Sequence, residues 1–164
     1  MDYAYISTIG QDSHRFKSVP EGEYKVMLAG VPVDSVLPFE ANSDGDVILH
    51  AVCNAISGIT GVNILGGEAD KICLEEGNKD SRAYLEAALK YLTDEEIVHV
   101  SISVECLRPK LKKYITDMKK SLAGLLGIPE TSVGITATTG EGLTGFGKGE
   151  GVQALVIMTF KRPC

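Results

Sequence analysis

Apolar positions recur along this chain with two different periods, and each change of period marks an element. Residues 3–9 and 24–33 read as strands, the second bounded by Gly22 and by Pro32. Val47, Ile48, Ala51, Val52, Ala55 and Ile56 then fall at the i, i+4 and i+8 spacings of a buried helical stripe. Ser43 and Asp44 precede that helix and Gly58 ends it. After a loop, a second helix starts near Asp80-Ser81, where a short polar side chain caps the first turn, and buries Tyr84, Leu85, Ala88, Leu89 and Leu92. From Val98 to Cys106 the period drops to two: Val98, Val100, Ile102, Val104 and Cys106 face one way, His99, Ser101, Ser103 and Glu105 the other. Pro109 suits the first turn of a helix, where its missing N–H costs nothing. Leu111, Ile115, Met118, Leu122 and Leu125 continue one face of that helix to Gly127, with Lys112, Lys113, Lys119 and Lys120 on its solvated side.

Two strands remain, about 132–138 and 151–160, joined by a glycine-rich segment. In the last, Val152, Ala154, Val156 and Met158 alternate with Gln153, Leu155 and Ile157, so both faces are largely apolar. A strand covered by helices on one side shows polar residues on the other. The pattern therefore calls for a second buried surface, supplied most economically by a like subunit.

No linker, repeat or low-complexity block divides the chain, so residues 1–164 are expected to form a single domain. A chain of this size buries about 70% of the surface its unfolded form exposes, so its core needs neither disulfides nor a metal. Any metal would serve chemistry. With 16 Lys+Arg against 22 Asp+Glu, the net charge of −6 excludes a nucleic-acid grip but leaves room for a small phosphorylated ligand. No apolar run approaches the ~18 residues of a membrane span, and Met1-Asp2-Tyr3 opens no signal peptide, so a cytoplasmic protein without membrane contact is expected. Cys53, Cys73, Cys106 and Cys164 show no Cys-x-x-Cys spacing and read as reduced, structural thiols.

Candidate chemistry concentrates in three places. In extended chain Asp12 and His14, two residues apart, project to one side and can converge on one ion; the alternative is a capping Asp beside a surface His. Only His50 and His99 remain as imidazole partners. His50 lies at the margin of the first helix's apolar stripe, where an unpartnered imidazole would be costly, whereas His99 sits on the polar side of its strand. Two His and one Asp leave a tetrahedral Zn²⁺ one open position, the arrangement of a catalytic rather than a structural site. Asp44 and Asp46, around Gly45, fit helix capping as well as hydrogen bonding to metal-binding histidines. Residues 140–151 hold six glycines, and the spacings of a dinucleotide fingerprint and of a P-loop nearly appear. Both fail on context: a period-two run follows instead of a helix, and Gly149 replaces the P-loop hydroxyl. What survives is a loop whose bare backbone can approach an anion, preceded by Thr138, Thr139 and Glu141.

These residues together resemble the 2-C-methyl-D-erythritol 2,4-cyclodiphosphate synthase family over nearly the whole chain. The matching motifs are Asp12-x-His14, Ser43-Asp44-Gly45-Asp46-Val47-x-Leu49-His50-Ala51, Asp80-Ser81, Pro109-Lys110-Leu111 and Ala137-Thr138-Thr139-x-Glu141. The resemblance implies an α+β fold, a mixed sheet with helices packed on one face, in a homotrimer with active sites at subunit interfaces. It implies Zn²⁺ on Asp12, His14 and His50, a second Mg²⁺ or Mn²⁺ reached by Glu141, and Thr139 and Glu141 as catalytic residues. Substrate contacts would come from Asn42, Ser43, Asp44 and Lys148, and a cytidine pocket from Pro109, Lys110, Leu111, Ala137, Thr138 and Thr139. The implied reaction converts 4-diphosphocytidyl-2-C-methyl-D-erythritol 2-phosphate to the 2,4-cyclodiphosphate and CMP. Asn42 stands where the family commonly has His, Thr136 where it has Lys, Lys148 where it has Arg, and residues 63–73 are unlike the segments that serve the methylerythritol end. Those departures keep two alternatives in view: a diverged metal-dependent phosphoesterase or cyclase on another nucleoside diphosphate ester, and a non-catalytic trimer binding diphosphates or isoprenoids.

Overall fold

A computed structural model describes residues 2–164. Strand β1, Tyr3–Arg15, runs antiparallel to β6, Gly151–Pro163, over the full length of both. β6 also pairs antiparallel with β4, Glu96–Glu105, and β4 pairs parallel with β5, Val133–Thr138, giving a mixed sheet in the order β1-β6-β4-β5. A two-stranded hairpin, β2 (Tyr24–Leu28) and β3 (Val31–Ser35), stands apart from it.

Alternation decides which face is covered. Val152, Ala154, Val156, Met158 and Phe160 of β6 and Val100, Ile102 and Val104 of β4 are fully or almost fully buried beneath the helices. The opposite face carries His99, Ser101 and Ser103 together with Ile9, Leu155 and Ile157, all exposed. Ile9 and Ile157 are register partners, 67% and 52% exposed, so the second apolar side read from β6 is a continuous patch.

Helix α1, Val47–Thr60, lies against β1 and β6. Its approach is so close that a Cβ at Gly10 would come within 2.6 Å of the Ala55 nitrogen, which is why β1 has no side chain there. Helices α2 (Ser81–Leu89) and α3 (Ile115–Leu126) complete the layer, α2 on α1 and α3 against β5. Between α1 and α2 the chain makes two irregular turns, Ile64–Glu68 and Lys71–Glu75, with non-helical backbone at Leu65 and Gly66.

Several boundaries differ from those read in the sequence. β1 continues to Arg15 rather than stopping at residue 9, because six further residues find partners on β6. Residues 24–33 are not one strand: Ala29 and Gly30 both take left-handed φ, 56° and 73°, and fold the segment into a hairpin. The Asp46 carboxylate makes this possible by accepting the N–H groups of Ala29 and Gly30 at 2.8 and 2.7 Å. α1 runs past Gly58 and closes at Gly61. Pro109 starts no helix: it follows a cis Arg108–Pro109 bond in a loop, and helical backbone begins with a turn at Lys112–Tyr114. The cap of α1 is Asp46, which accepts Leu49 N–H at 3.0 Å, rather than Ser43 or Asp44.

Among the described residues no helix is long and apolar enough to cross a membrane. All four cysteines are free, three of them buried, and burial pushes the thiols of Cys53 and Cys106 up to about 12 and about 11.

Candidate metal centre and active site

β1 presents Asp12 and His14 on its helix-facing side, and the first turn of α1 brings His50 over them. Asp12 Oδ2 lies 3.2 Å from His14 Nε2 and 3.1 Å from His50 Nδ1, and the two imidazole nitrogens are 3.2 Å apart. Three potential ligand atoms thus form a nearly equilateral triangle. With Zn–N and Zn–O bonds of about 2.0–2.1 Å, tetrahedral ligands sit roughly 3.3 Å from one another. The donor set and its edges fit a divalent cation with an outward position left free.

The orientation of His50 is set from behind. Its Nε2 lies 2.8 Å from Ser81 Oγ, whose hydroxyl donates to Asp44 Oδ1; Ser81 N–H donates to Asp44 Oδ2 at 3.0 Å. Since the Ser81 proton goes to a carboxylate, Nε2 of His50 carries the N–H and Nδ1 keeps its lone pair for the cluster. Burial works against the charge of Asp12, but the neighbouring imidazoles of His14 and His50 outweigh it and hold the carboxyl down at about 2. It stays ionised wherever a metal would be bound. Asp46 behaves differently: burial pushes its carboxyl up against three N–H donors, and its contacts are the cap and the hairpin turn rather than a histidine.

A cavity of about 240 Å³ opens on the triangle, lined also by Asn42, Ser43, Leu65, Asp70, Cys73 and Tyr84. Asn42 and Ser43 line the cavity that opens on the triangle, and Asp44 lies behind His50, bonded to Ser81. Leu65, Asp70 and Cys73 come from the irregular turns, where no period marks a side chain as facing a site. Ser81 was visible only as a helix-start residue; its bond to His50, 31 residues away, is purely tertiary.

The remaining expected residues lie elsewhere. Pro109 and Lys110 border a second cleft of about 770 Å³, between Arg108 and the β2–β3 hairpin, while Leu111 is buried. Ala137 and Thr138 end β5, Thr139, Glu141 and Lys148 lie in the loop that follows, and none lines the cavity around the triangle. β6 and β4 separate β1 from β5, so at about 4.8 Å per strand the triangle and the end of β5 are roughly 14 Å apart across the sheet. Thr138 and Thr139 accept the N–H groups of Gly140 and Glu141, which tightens the loop, and Glu141 is held at a left-handed φ of 50°. His99 is exposed on the open face, away from the cluster.

An α+β domain with a carboxylate and two imidazoles converging at the mouth of a cavity falls in the class of proteins with a candidate metal site. Comparison with known proteins sharpens that class. Residues 6–161 match the model of the YgbB family, and this chain belongs to that family. The 2-C-methyl-D-erythritol 2,4-cyclodiphosphate synthase of Chlamydia abortus is 46% identical over 163 residues, covering 99% of this chain and 92% of that protein. Among solved structures, the bifunctional IspDF of Campylobacter jejuni superposes with a TM-score of 0.86 at 28% identity, over 99% of this chain and 43% of that one. A 2C-methyl-D-erythritol-2,4-cyclodiphosphate synthase in a CDP-bound form superposes with a TM-score of 0.81 at 27% identity, over 94% of this chain and 99% of that one.

Proposed function

We propose that this chain, as one domain over residues 1–164, converts 4-diphosphocytidyl-2-C-methyl-D-erythritol 2-phosphate to 2-C-methyl-D-erythritol 2,4-cyclodiphosphate and CMP in isoprenoid precursor synthesis. The observation that carries the reading is the Asp12–His14–His50 triangle, with 3.1–3.2 Å edges and an open side, in a chain whose near-full-length relatives bear this enzyme's name. That likeness favours cyclisation over the phosphoesterase and non-catalytic alternatives.

In this reaction an oxygen of the 2-phosphate bonds to the β-phosphorus of the same molecule, the bond from that phosphorus to the oxygen shared with the α-phosphate breaks, and CMP leaves with the electron pair. The nucleophile is already ionised, so no side chain has to remove a proton. What remains is to align two anionic groups that repel each other. Asp12, His14 and His50 would hold Zn²⁺, and Glu141 would hold Mg²⁺ or Mn²⁺. Bound there, these cations supply the positive charge that a chain of net −6 lacks. Thr138 and Thr139 offer hydroxyls to the diphosphate, and Glu141 is exposed beside them. Lys148 adds a charge on the returning arm of the same loop, and Asn42 and Ser43 contact the substrate beside the triangle.

One chain leaves the triangle and the Thr138–Glu141 loop on strands separated by two others, which supports a site completed by a second copy. We therefore assign a homotrimer assembled through the exposed apolar sheet face, with active sites between subunits and with Pro109, Lys110, Leu111 and Ala137 of one subunit around the cytidine of the next. Four free thiols, three of them buried, support a cytoplasmic protein. The direct test is to incubate purified protein with the cytidylylated substrate and Mg²⁺ or Mn²⁺. CMP and the cyclic product are expected in equal amounts; no CMP from metal-replete trimer refutes the reading, and an open-chain phosphate would make it a hydrolase.

A further inference from the structure

The glycine-rich segment between β5 and β6 is folded back on itself. A Cβ at Gly147 would lie 2.9 Å from both Gly140 O and Gly142 N, so the arm from 140 to 142 and the arm from 145 to 149 pack backbone on backbone. A turn this rich in glycine loses much entropy on ordering and needs an external anchor to hold one shape.

That anchor is a side chain of β4. Glu105, the last residue of the strand, sits in register between Thr138 of β5 and Gln153 of β6. Its carboxylate accepts the hydroxyl of Thr144 at the crown of the loop, and Thr144 Oγ1 in turn accepts Gly147 N–H at 2.9 Å. The same carboxylate presses on the first arm: a Cβ at Gly140 would stand 2.9 Å from Glu105 Cδ, a space only glycine leaves open. Main-chain bonds from Cys106 N–H to Thr138 O and from Leu107 N–H to Phe146 O flank this contact on the two arms, each at 3.0 Å.

We propose that Glu105 is a positioning residue for the diphosphate: through Thr144 and Gly140 it locks the loop that carries Thr138, Thr139 and Glu141. The proposal rests on the assignment of this loop to the substrate's diphosphate. Glu105 touches no substrate atom. It removes the cost of ordering the loop when the anion arrives, so its loss weakens substrate and product-like nucleotide alike.

Glu105→Ala and Thr144→Val break the contact from either side, while Glu105→Gln keeps an acceptor for the Thr144 hydroxyl. Three quantities are read in the full-length protein: hydrogen exchange of amides 140–149 without ligand, cytidine diphosphate affinity by calorimetry, and KM and kcat for CMP release. In the Ala and Val variants loop exchange should accelerate, and both Kd and KM should rise about tenfold. kcat should stay within about twofold and global exchange should be unchanged. The double variant should be no worse than either single one, and Glu105→Gln should bind at least as well as the parent. Unchanged exchange and affinity in both single variants, or effects that add in the double, overturn the proposal. Accelerated loop exchange in a protein whose parent neither binds cytidine diphosphate nor releases CMP overturns the assignment of the loop to that ligand and supports the clamp.

Discussion

His50 shows how much of a metal site is decided by atoms that never touch the metal. Its lone pair is aimed at Asp12 and His14 only because Ser81 accepts the other ring N–H and passes its own proton to Asp44. Ser81→Ala should lower Zn²⁺ affinity about 10- to 100-fold in a competitive chelator titration, with the far-ultraviolet circular dichroism retained. An unchanged affinity would show that packing alone orients the ring. Asp12 gives a second prediction. Its carboxyl is lowered from an ordinary 3.8 to about 2 in the folded protein, so the metal-free chain gains stability from it above pH 3.8 and loses that gain as pH falls through about 2. The gain is at most about 2 kcal/mol. Urea midpoints of metal-free Asp12→Asn should therefore fall less steeply than the parent's between pH 4 and pH 2, and parallel curves would refute the assignment.

At the level of elements, one buried carboxylate couples the first helix to the hairpin. Asp46 satisfies the N–H of Leu49 as the cap of α1 and those of Ala29 and Gly30 as the support of the β2–β3 turn. Removing it orphans three donors, those of Ala29 and Leu49 fully buried, and leaves the left-handed Ala29 without the acceptor for its N–H. Asp46→Ala should cost at least about 3 kcal/mol in chemical denaturation. Asp46→Asn, which keeps an acceptor, should cost clearly less, and equal losses would argue against the hydrogen-bond account. The hairpin itself was hidden in the sequence because Ala29 is not a turn-forming residue; the reason for the turn lies 17 positions further on. The helix ends were misread for a related reason. Gly58 looks like a stop, yet it lies inside α1 where the helix faces Thr8, and a Cβ there would be 3.2 Å from the Thr8 Cβ.

On the scale of the whole molecule, the sheet leaves an apolar patch uncovered on the face away from the helices. Ile9, Leu155 and Ile157 form a patch that water would otherwise wet, at about 25 cal/mol for each Å² of apolar surface left uncovered. If copies of this chain cover it, Ile157→Lys should yield folded monomers by analytical ultracentrifugation. The Asp12–His14–His50 triangle lies within one chain and should persist in them, while CMP release should drop by at least about 100-fold because the proposed site spans two chains. A trimer that survives this substitution would move the interface elsewhere.

Periodicity alone carried individual elements: the helices, the strand from Val98 and the two-sided β6 are legible because burial imposes a repeat on whichever residues face the core. It also carried Asp12, His14 and His50, since the i, i+2 spacing and the scarcity of histidine left few other partners. Tertiary structure alone decided where the carboxylates work. Asp44 serves His50 through Ser81, Asp46 serves a turn rather than a histidine, and Glu105, an unremarked polar position on a strand, holds the glycine loop. Each of those bonds joins residues 16 to 39 positions apart. A spacing rule reads neighbours on one element; it has no access to side chains that meet only after the elements have packed.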